Sequence, residues 1–352
     1  MKRVLLGLAT IALAVAVPLP AIAAQHPGHG GRTPDNLREL SQKTKVFIGS
    51  AVDVTALADE SDYRRTLNRE FTHITAENAM KWESVEPERG RFTWEGADAV
   101  VRNAMRNDQK VRGHTLVWHN QIPAWLTAGV ADGSIDAAEL RGILRDHIFK
   151  EVGRYRGKIR AWDVVNEVVD DEGNMRQTIW LEKLGPGYIA DAFRWAHQAD
   201  PHAKLYINDY NIEWNAAKIA TTLNIVKDLK AKRVPIHGVG FQGHLGIQYD
   251  YPADFPSVMK QFTDLGLEAA ITEADVRMVL PVTPEKLATQ ADYYKRMLTT
   301  CADNRRCVEF TVWGYTDRHS WVPGWFTGEG AACVFDENLA PKPAYNALLT
   351  VR

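Results

Sequence analysis

Residues 159–167 read Ile159-Arg160-Ala161-Trp162-Asp163-Val164-Val165-Asn166-Glu167. Apolar and β-branched side chains fill this run almost continuously, and two polar residues end it. A strand buried on both faces has that composition, and such strands belong to parallel sheets covered by helices. Seven further runs share the pattern, at 46–52, 71–75, 110–115, 204–208, 236–241, 268–272 and 308–313. Between them, helical spacing recurs, clearest at 97–108, 137–152, 189–199, 216–230, 255–265 and 285–300. Strand and helix therefore alternate eight times with no Pro-, Gly- or Ser-rich linker between units. That predicts a single (β/α)8 TIM barrel. A doubly wound open sheet is the structural alternative, but Gly49-Ser50-Ala51-Val52-Asp53 after the first strand lacks the glycine spacing of a phosphate-binding turn.

Composition narrows the classes further. Of 352 residues, 45% are apolar and 24% charged, which excludes disordered and collagen-like chains. Lys plus Arg number 42 against 44 Asp plus Glu, so no basic excess exists to neutralise a phosphate backbone, and no nucleic acid partner is expected. Tryptophan occurs 11 times, as often as Tyr or Phe, and serves either as core or as flat binding platforms.

The N-terminus reads as an export signal. Lys2 and Arg3 precede an apolar stretch, and Ala21-Ile22-Ala23-Ala24 supplies small residues for cleavage. The stretch is too short to span a bilayer, which needs about 20 residues, and no membrane association is expected. The expected organisation is a signal peptide at 1–23, a flexible Gly- and His-rich leader at 24–40 and a catalytic domain at 41–352, secreted or periplasmic. In an oxidising compartment Cys301 and Cys307 are near enough in sequence to be bridged, leaving Cys333 as a buried free thiol.

Active sites of such barrels sit at the carboxyl ends of the strands. Here those ends carry Glu77-Asn78 with Lys81 behind them, His114, Asn166-Glu167, Gln242 and His244, Glu273 and Asp275, and Trp313. So many polar groups at the ends of buried strands point to a solvent-accessible pocket. Glu167 and Glu273 end strands that face each other across the mouth, and their carboxyls can approach to about 5 Å, the separation of a retaining glycosidase. His244 is placed to donate to Glu273 while Asp275 holds its other ring nitrogen, which keeps Glu273 ionised as nucleophile. Glu167 has no adjacent cation in sequence, which suits the acid/base role.

The chain also resembles glycoside hydrolase family 10, mostly endo-β-1,4-xylanases, through Phe47-Ile48-Gly49, Glu77-Asn78-Ala79-Met80-Lys81-Trp82, Gly113-His114-Thr115-Leu116-Val117-Trp118-His119, Trp162-Asp163-Val164-Val165-Asn166-Glu167, Gln242-Gly243-His244-Leu245, Thr272-Glu273-Ala274-Asp275 and Thr311-Val312-Trp313-Gly314. The resemblance implies the same two roles for Glu167 and Glu273. It implies that Glu77, Asn78, Lys81, His114 and Trp118 contact the glycone side, that Asn166 meets the 2-hydroxyl, and that Gln242 lies beside the nucleophile. It also implies that Trp313 and Trp321 cover the sugar face and that Tyr210, with Asn211, forms an aglycone-side platform. Lys81 has a second reading, as ion-pair partner of Glu77.

Two departures stand beside the nucleophile: Ala274, commonly Leu in the family, and Gly243, commonly Ser. Both remove volume, which loosens the packing around Glu273 and His244 unless a neighbouring side chain repacks into it. The resemblance implies xylan and xylo-oligosaccharides as partners; a monomer is the default expectation, no cofactor is expected, and no metal either, since His114, His119, His237 and His244 lack zinc-site spacing. Two alternatives stay open: a retaining β-1,4-glucanase of the same barrel type, and a non-catalytic polysaccharide-binding barrel.

Overall fold

All eight expected strands form, and each pairs in parallel with its neighbour in sequence. They are β1 (Phe47–Val52), β2 (His73–Ala76), β3 (Lys110–Val117), β4 (Ala161–Asn166), β5 (Lys204–Asp209), β6 (Gly238–Phe241), β7 (Glu268–Val279) and β8 (Cys307–Val312). β8 pairs back onto β1, with Phe47 opposite Glu309, and this closes the barrel and excludes the open sheet. The structure is a computed structural model that describes residues 33–352; the expected signal peptide and most of the expected leader lie outside those residues.

Helices cover the outside, among them Glu95–Arg106, Ala137–Arg154, Gly187–Ala199, Ala216–Ala231, Phe255–Thr263 and Pro284–Ala302. Their starts follow local chemistry. Asp136, Asn215 and Thr283 accept hydrogen bonds from backbone N–H groups of the first turns, and Pro284 supplies a fixed φ where its missing N–H costs nothing. The expected leader is corrected at its end: Leu37–Thr44 is a helix capped by Asn36, with Leu37 and Leu40 fully buried. Two apolar residues three apart, fixed further by the Leu37 N–H to the Glu70 carboxylate at 3.1 Å, make this segment part of the domain.

The barrel axis holds a charged cluster. Arg112, entirely buried, makes two parallel hydrogen bonds to Glu309, 2.9 and 3.1 Å, and a third to Asp163 at 2.6 Å. His73 and Arg160 flank Glu309. Burial alone would raise the Glu309 carboxyl, but Arg112 and His73 hold it down to about 2. Burial takes His73 to about 4, so it is neutral at pH 7. Asp163 in turn accepts from or pairs with Nδ1 of His114 at 3.1 Å, carrying the cluster up toward the mouth.

β7 runs seven residues beyond its expected end. Its extension pairs with a short strand at His244–Gly246, where His244 lies opposite Asp275, and with Glu329–Gly330 in the loop after β8. Irregular register in β3–β4, β4–β5 and β7–β8 re-aims side chains near the same rim. Cys301 and Cys307 form the expected disulfide, with Cα atoms 5.1 Å apart, joining a helix end to β8, and Cys333 is a buried free thiol.

Candidate active site

The two glutamates leave β4 and β7 under different constraints. Glu167 lies just past β4 with φ +56°, a left-handed conformation that few non-glycine residues adopt. Its backbone is fixed on both sides, N–H to Asn208 O at 2.9 Å and carbonyl accepting from Arg176 Nε at 2.8 Å. Such strain persists only where surroundings over-determine it, and it aims the carboxyl into the mouth. Glu273 sits within β7, its N–H bonded to Gln242 O at 2.9 Å and its side chain almost wholly buried.

A chain of amides joins the two carboxyls. Asn208 Nδ2 donates to Glu273 Oε1 at 2.7 Å and to Asn166 Oδ1 at 2.9 Å. Gln242 Nε2 reaches the same Asn166 oxygen at 3.4 Å and donates to Glu167 Oε1 at 3.0 Å. Asn208 Oδ1 accepts from the Thr272 hydroxyl at 2.7 Å, which fixes the amide orientation. Only glycine fits behind it, since a Cβ on Gly240 would collide with Asn208 Oδ1.

Their electrostatic surroundings differ in sign. His244 Nε2 lies 3.3 Å from Glu273 Oε2, and its Nδ1 lies 3.0 Å from Asp275. Burial lowers the proton affinity of His244, yet Asp275 and Glu273 raise it to about 10, so the ring is an imidazolium at neutral pH. Burial pushes the Glu273 carboxyl up, and nearby His114, His244 and the Asn208 amide outweigh it and hold it below the ordinary range. Beside Glu167 the nearest ring is His119, Nε2 3.9 Å from Oε2, and burial keeps His119 below its ordinary value and hence neutral.

The remaining sequence-predicted residues gather around this pair. Lys81 Nζ donates to Asn78 Oδ1 at 2.9 Å and lies 5.0 Å from the Trp118 ring centre and 5.9 Å from that of Trp313. Its hydrogen-bond partner is thus Asn78 and not the Glu77 of the alternative reading. Burial lowers the Lys81 ammonium, against the pull of Glu273, Glu77 and Glu167. Burial and Asp53 push Glu77 up to about 7. Trp313, in contact with His114 and His244 at ring separations of 5.2 and 6.5 Å, floors the mouth, while Trp321 donates from Nε1 to Asp275 Oδ2 at 2.7 Å. Tyr210 is steadied by Arg176, which donates to its hydroxyl at 2.8 Å, and by Lys218, 3.5 Å above its ring.

Glu167 has no cation adjacent in sequence, and the basic side chains that lie near it, His119 and Arg176, stand 48 residues before and nine after it; Arg176 bonds to backbone carbonyls and Tyr210. Gly243 does not loosen the packing. It adopts φ +77°, where a side chain would be strained, and a Cβ there would come within 3.1 Å of Ile271 and 3.5 Å of Met297 Sδ, so those side chains already occupy the volume. Its N–H donates to buried Glu213 at 2.7 Å. Asn208 is the main functional residue that sequence reasoning missed; its signal was a polar residue inside β5, one position before the turn.

Comparison with known proteins finds one family over nearly the whole described chain. The sequence profile of glycosyl hydrolase family 10 matches residues 36–351. An endo-1,4-beta-xylanase of Agaricus bisporus is 45% identical over 306 residues, covering 87% of this chain and 90% of the relative. Endo-1,4-beta-xylanase B of Thermotoga neapolitana is 43% identical, covering 89% and 90%. Among solved structures, native xylanase 10B from Thermotoga maritima superposes with TM-score 0.85 at 43% identity, covering 89% of this chain and 96% of that one. Xylanase 10B from Thermotoga petrophila, in complex with xylobiose, gives 0.85 at 42%, covering 91% and 98%.

Proposed function

The chain belongs to glycosyl hydrolase family 10, and from that premise we infer a retaining endo-1,4-β-xylanase in which Glu273 is the nucleophile and Glu167 the acid/base. The observation that carries the assignment is the amide chain Glu273–Asn208–Asn166–Gln242–Glu167, with an imidazolium at one end and a neutral imidazole at the other. A carboxylate that must attack carbon is best kept ionised by a cation. A carboxyl that must give up and retake a proton is best kept among neutral donors.

In the first step Glu273 attacks the anomeric carbon of a xylosyl unit while Glu167 transfers its proton to the departing glycosidic oxygen, leaving a covalent xylosyl-Glu273 ester. In the second, ionised Glu167 takes a proton from water, whose oxygen displaces Glu273 from the same carbon. Two inversions give net retention. Asn166 uses Oδ1 within the amide chain, which leaves Nδ2 as its donor toward the 2-hydroxyl. Asn78, Lys81 and Glu77 take other hydroxyls on the glycone side, Trp118 and Trp313 wall the sugar, and Tyr210 carries the leaving portion.

Xylose lacks the C5 hydroxymethyl group of glucose, so discrimination requires steric closure there. Trp321 is held by Asp275, and its loop is tied to β7 by the Glu329–Gly330 strand, which favours such closure. The basic, apolar and small-residue succession of 1–23 and the Cys301–Cys307 bridge suit export to the periplasm or the medium. A 2-fluoro xylobioside with a dinitrophenol leaving group tests the assignment: mass spectrometry of the digested enzyme should find the sugar on the peptide bearing Glu273. Label on any other residue overturns it.

A further inference from the structure

A groove of about 450 Å³ lies outside the catalytic mouth, between helices Ala216–Ala231 and Phe255–Thr263. Trp214 stands at its edge with 55% of its surface exposed, next to Leu223, Pro252, Asp254, Ser257 and Gln261. We propose that this groove is a second xylan-binding site, gripping the polymer beyond the residues being cleaved. The proposal rests on the xylanase reading above.

Three observations favour a neutral polysaccharide as occupant. An exposed indole beside an apolar wall is what a sugar ring face needs, and the acid, hydroxyl and amide of Asp254, Ser257 and Gln261 match sugar hydroxyls. None of the described residues lining the groove is Lys or Arg, which disfavours anionic ligands. One short loop of the chain also leads from the cleft to the groove. β5 ends at Asp209, Tyr210 follows as the aglycone-side platform, and Trp214, its N–H on Asn211 O at 3.3 Å, reaches the groove four residues later. Buried Glu213 between them anchors the loop on the Gly243 N–H, next to His244. A loop so pinned presents the indole in one place, which lowers the ordering cost of binding. The volume lies within the range of about 300–1,000 Å³ usual for ligand sites.

The test uses the full chain. In a Glu273→Gln background, which prevents turnover, binding to insoluble xylan and to xylohexaose is measured with and without Trp214→Ala, and Gln261→Ala serves as a second, surface-exposed variant. In active protein, hydrolysis of a short aryl xylobioside is compared with that of insoluble xylan. Loss of the indole should weaken xylan binding roughly tenfold. Hydrolysis of insoluble xylan should fall several-fold while the aryl xylobioside rate stays within about twofold, and Trp214→Tyr should restore most of the loss. Equal polymer binding with and without Trp214, or a concentration-dependent mass showing that a second copy of the chain covers the groove, overturns the proposal. Failure of the unsubstituted protein to hydrolyse the aryl xylobioside would instead overturn the xylanase reading, while the binding measurement still judges the groove.

Discussion

Trp321 Nε1 donates to one oxygen of Asp275 at 2.7 Å, while the other oxygen of that carboxylate lies 3.0 Å from His244 Nδ1. The Trp321 indole is thereby linked through one carboxylate to the imidazolium beside Glu273. On the proposed roles, closure over the sugar and ionisation of the nucleophile are joined by one line of hydrogen bonds and an ion pair, and changes in the loop should reach the chemistry.

Trp321→Phe keeps a ring over the sugar and removes only the donor to Asp275. A hydrogen bond to a charged group contributes about 1.5–3 kcal/mol, so kcat should fall roughly tenfold with little change in KM. Trp321→Ala removes the ring as well and should raise KM in addition. Steady-state kinetics on xylohexaose checks both, and identical effects from the two variants would show that the indole acts only as a wall.

Asn208→Ala cuts the amide chain at the link next to Glu273, freeing Glu273 Oε1 and leaving Asn166 Oδ1 only the longer 3.4 Å bond from Gln242. Loss of a donor fixed on a reacting carboxylate costs on the order of 10²-fold in kcat. The variant should fold, since the Thr272 hydroxyl keeps the Phe241 carbonyl as acceptor at 3.2 Å, and circular dichroism with kinetics on one preparation separates folding from rate.

The buried Arg112–Glu309 pair sets an acid limit to stability. Glu309 stands at about 2 in the folded protein against 4.5 for an ordinary glutamate, so below pH 4.5 the unfolded chain takes up a proton that the folded one refuses. Stability from this group is present above pH 4.5 and is lost as the pH falls toward 2, by roughly 3 kcal/mol. Glu309→Gln should be destabilised by roughly 3 kcal/mol at pH 7, because buried Arg112 keeps only Asp163 as a charged partner, and should lose less on acidification. Urea unfolding of both proteins at pH 5 and pH 3 measures the difference.

Glu167→Ala should leave the first step nearly intact on dinitrophenyl glycosides, whose leaving group needs no proton, and lose several orders of magnitude on xylan. Glu273→Ala should abolish turnover of both. Stopped-flow release of dinitrophenol distinguishes them, and equal loss on the two substrate types would remove Glu167 from the acid/base role.

The barrel was legible in the sequence because its signals are local. Each strand is a short apolar run, and Glu167, Glu273, His244 and Asp275 follow the ends of the expected runs, where a polar residue is conspicuous. What was missed is made by distance in sequence. Arg112 and Glu309 are 197 residues apart, and nothing in either strand announces the partner. Asn208 bonds to Asn166 and Glu273, 42 and 65 residues away, and looks on its own like one more polar strand residue. Gly243 misled through chemistry: a missing side chain reads as lost volume, whereas φ +77° makes it a backbone requirement. The helix at Leu37–Thr44 was hidden by the Gly-rich residues before it, although Asn36 and the Leu37 and Leu40 pair carried its signal.

The central claim is that Glu273 and Glu167 act as nucleophile and acid/base in a double displacement on xylan. Proton NMR of the products from soluble glucuronoxylan, followed over the first minutes before mutarotation, tests it most directly. The account predicts that new reducing ends form first as the β-anomer and that α appears only later. Early α-anomer would mean a single inversion and would contradict the nucleophile role of Glu273.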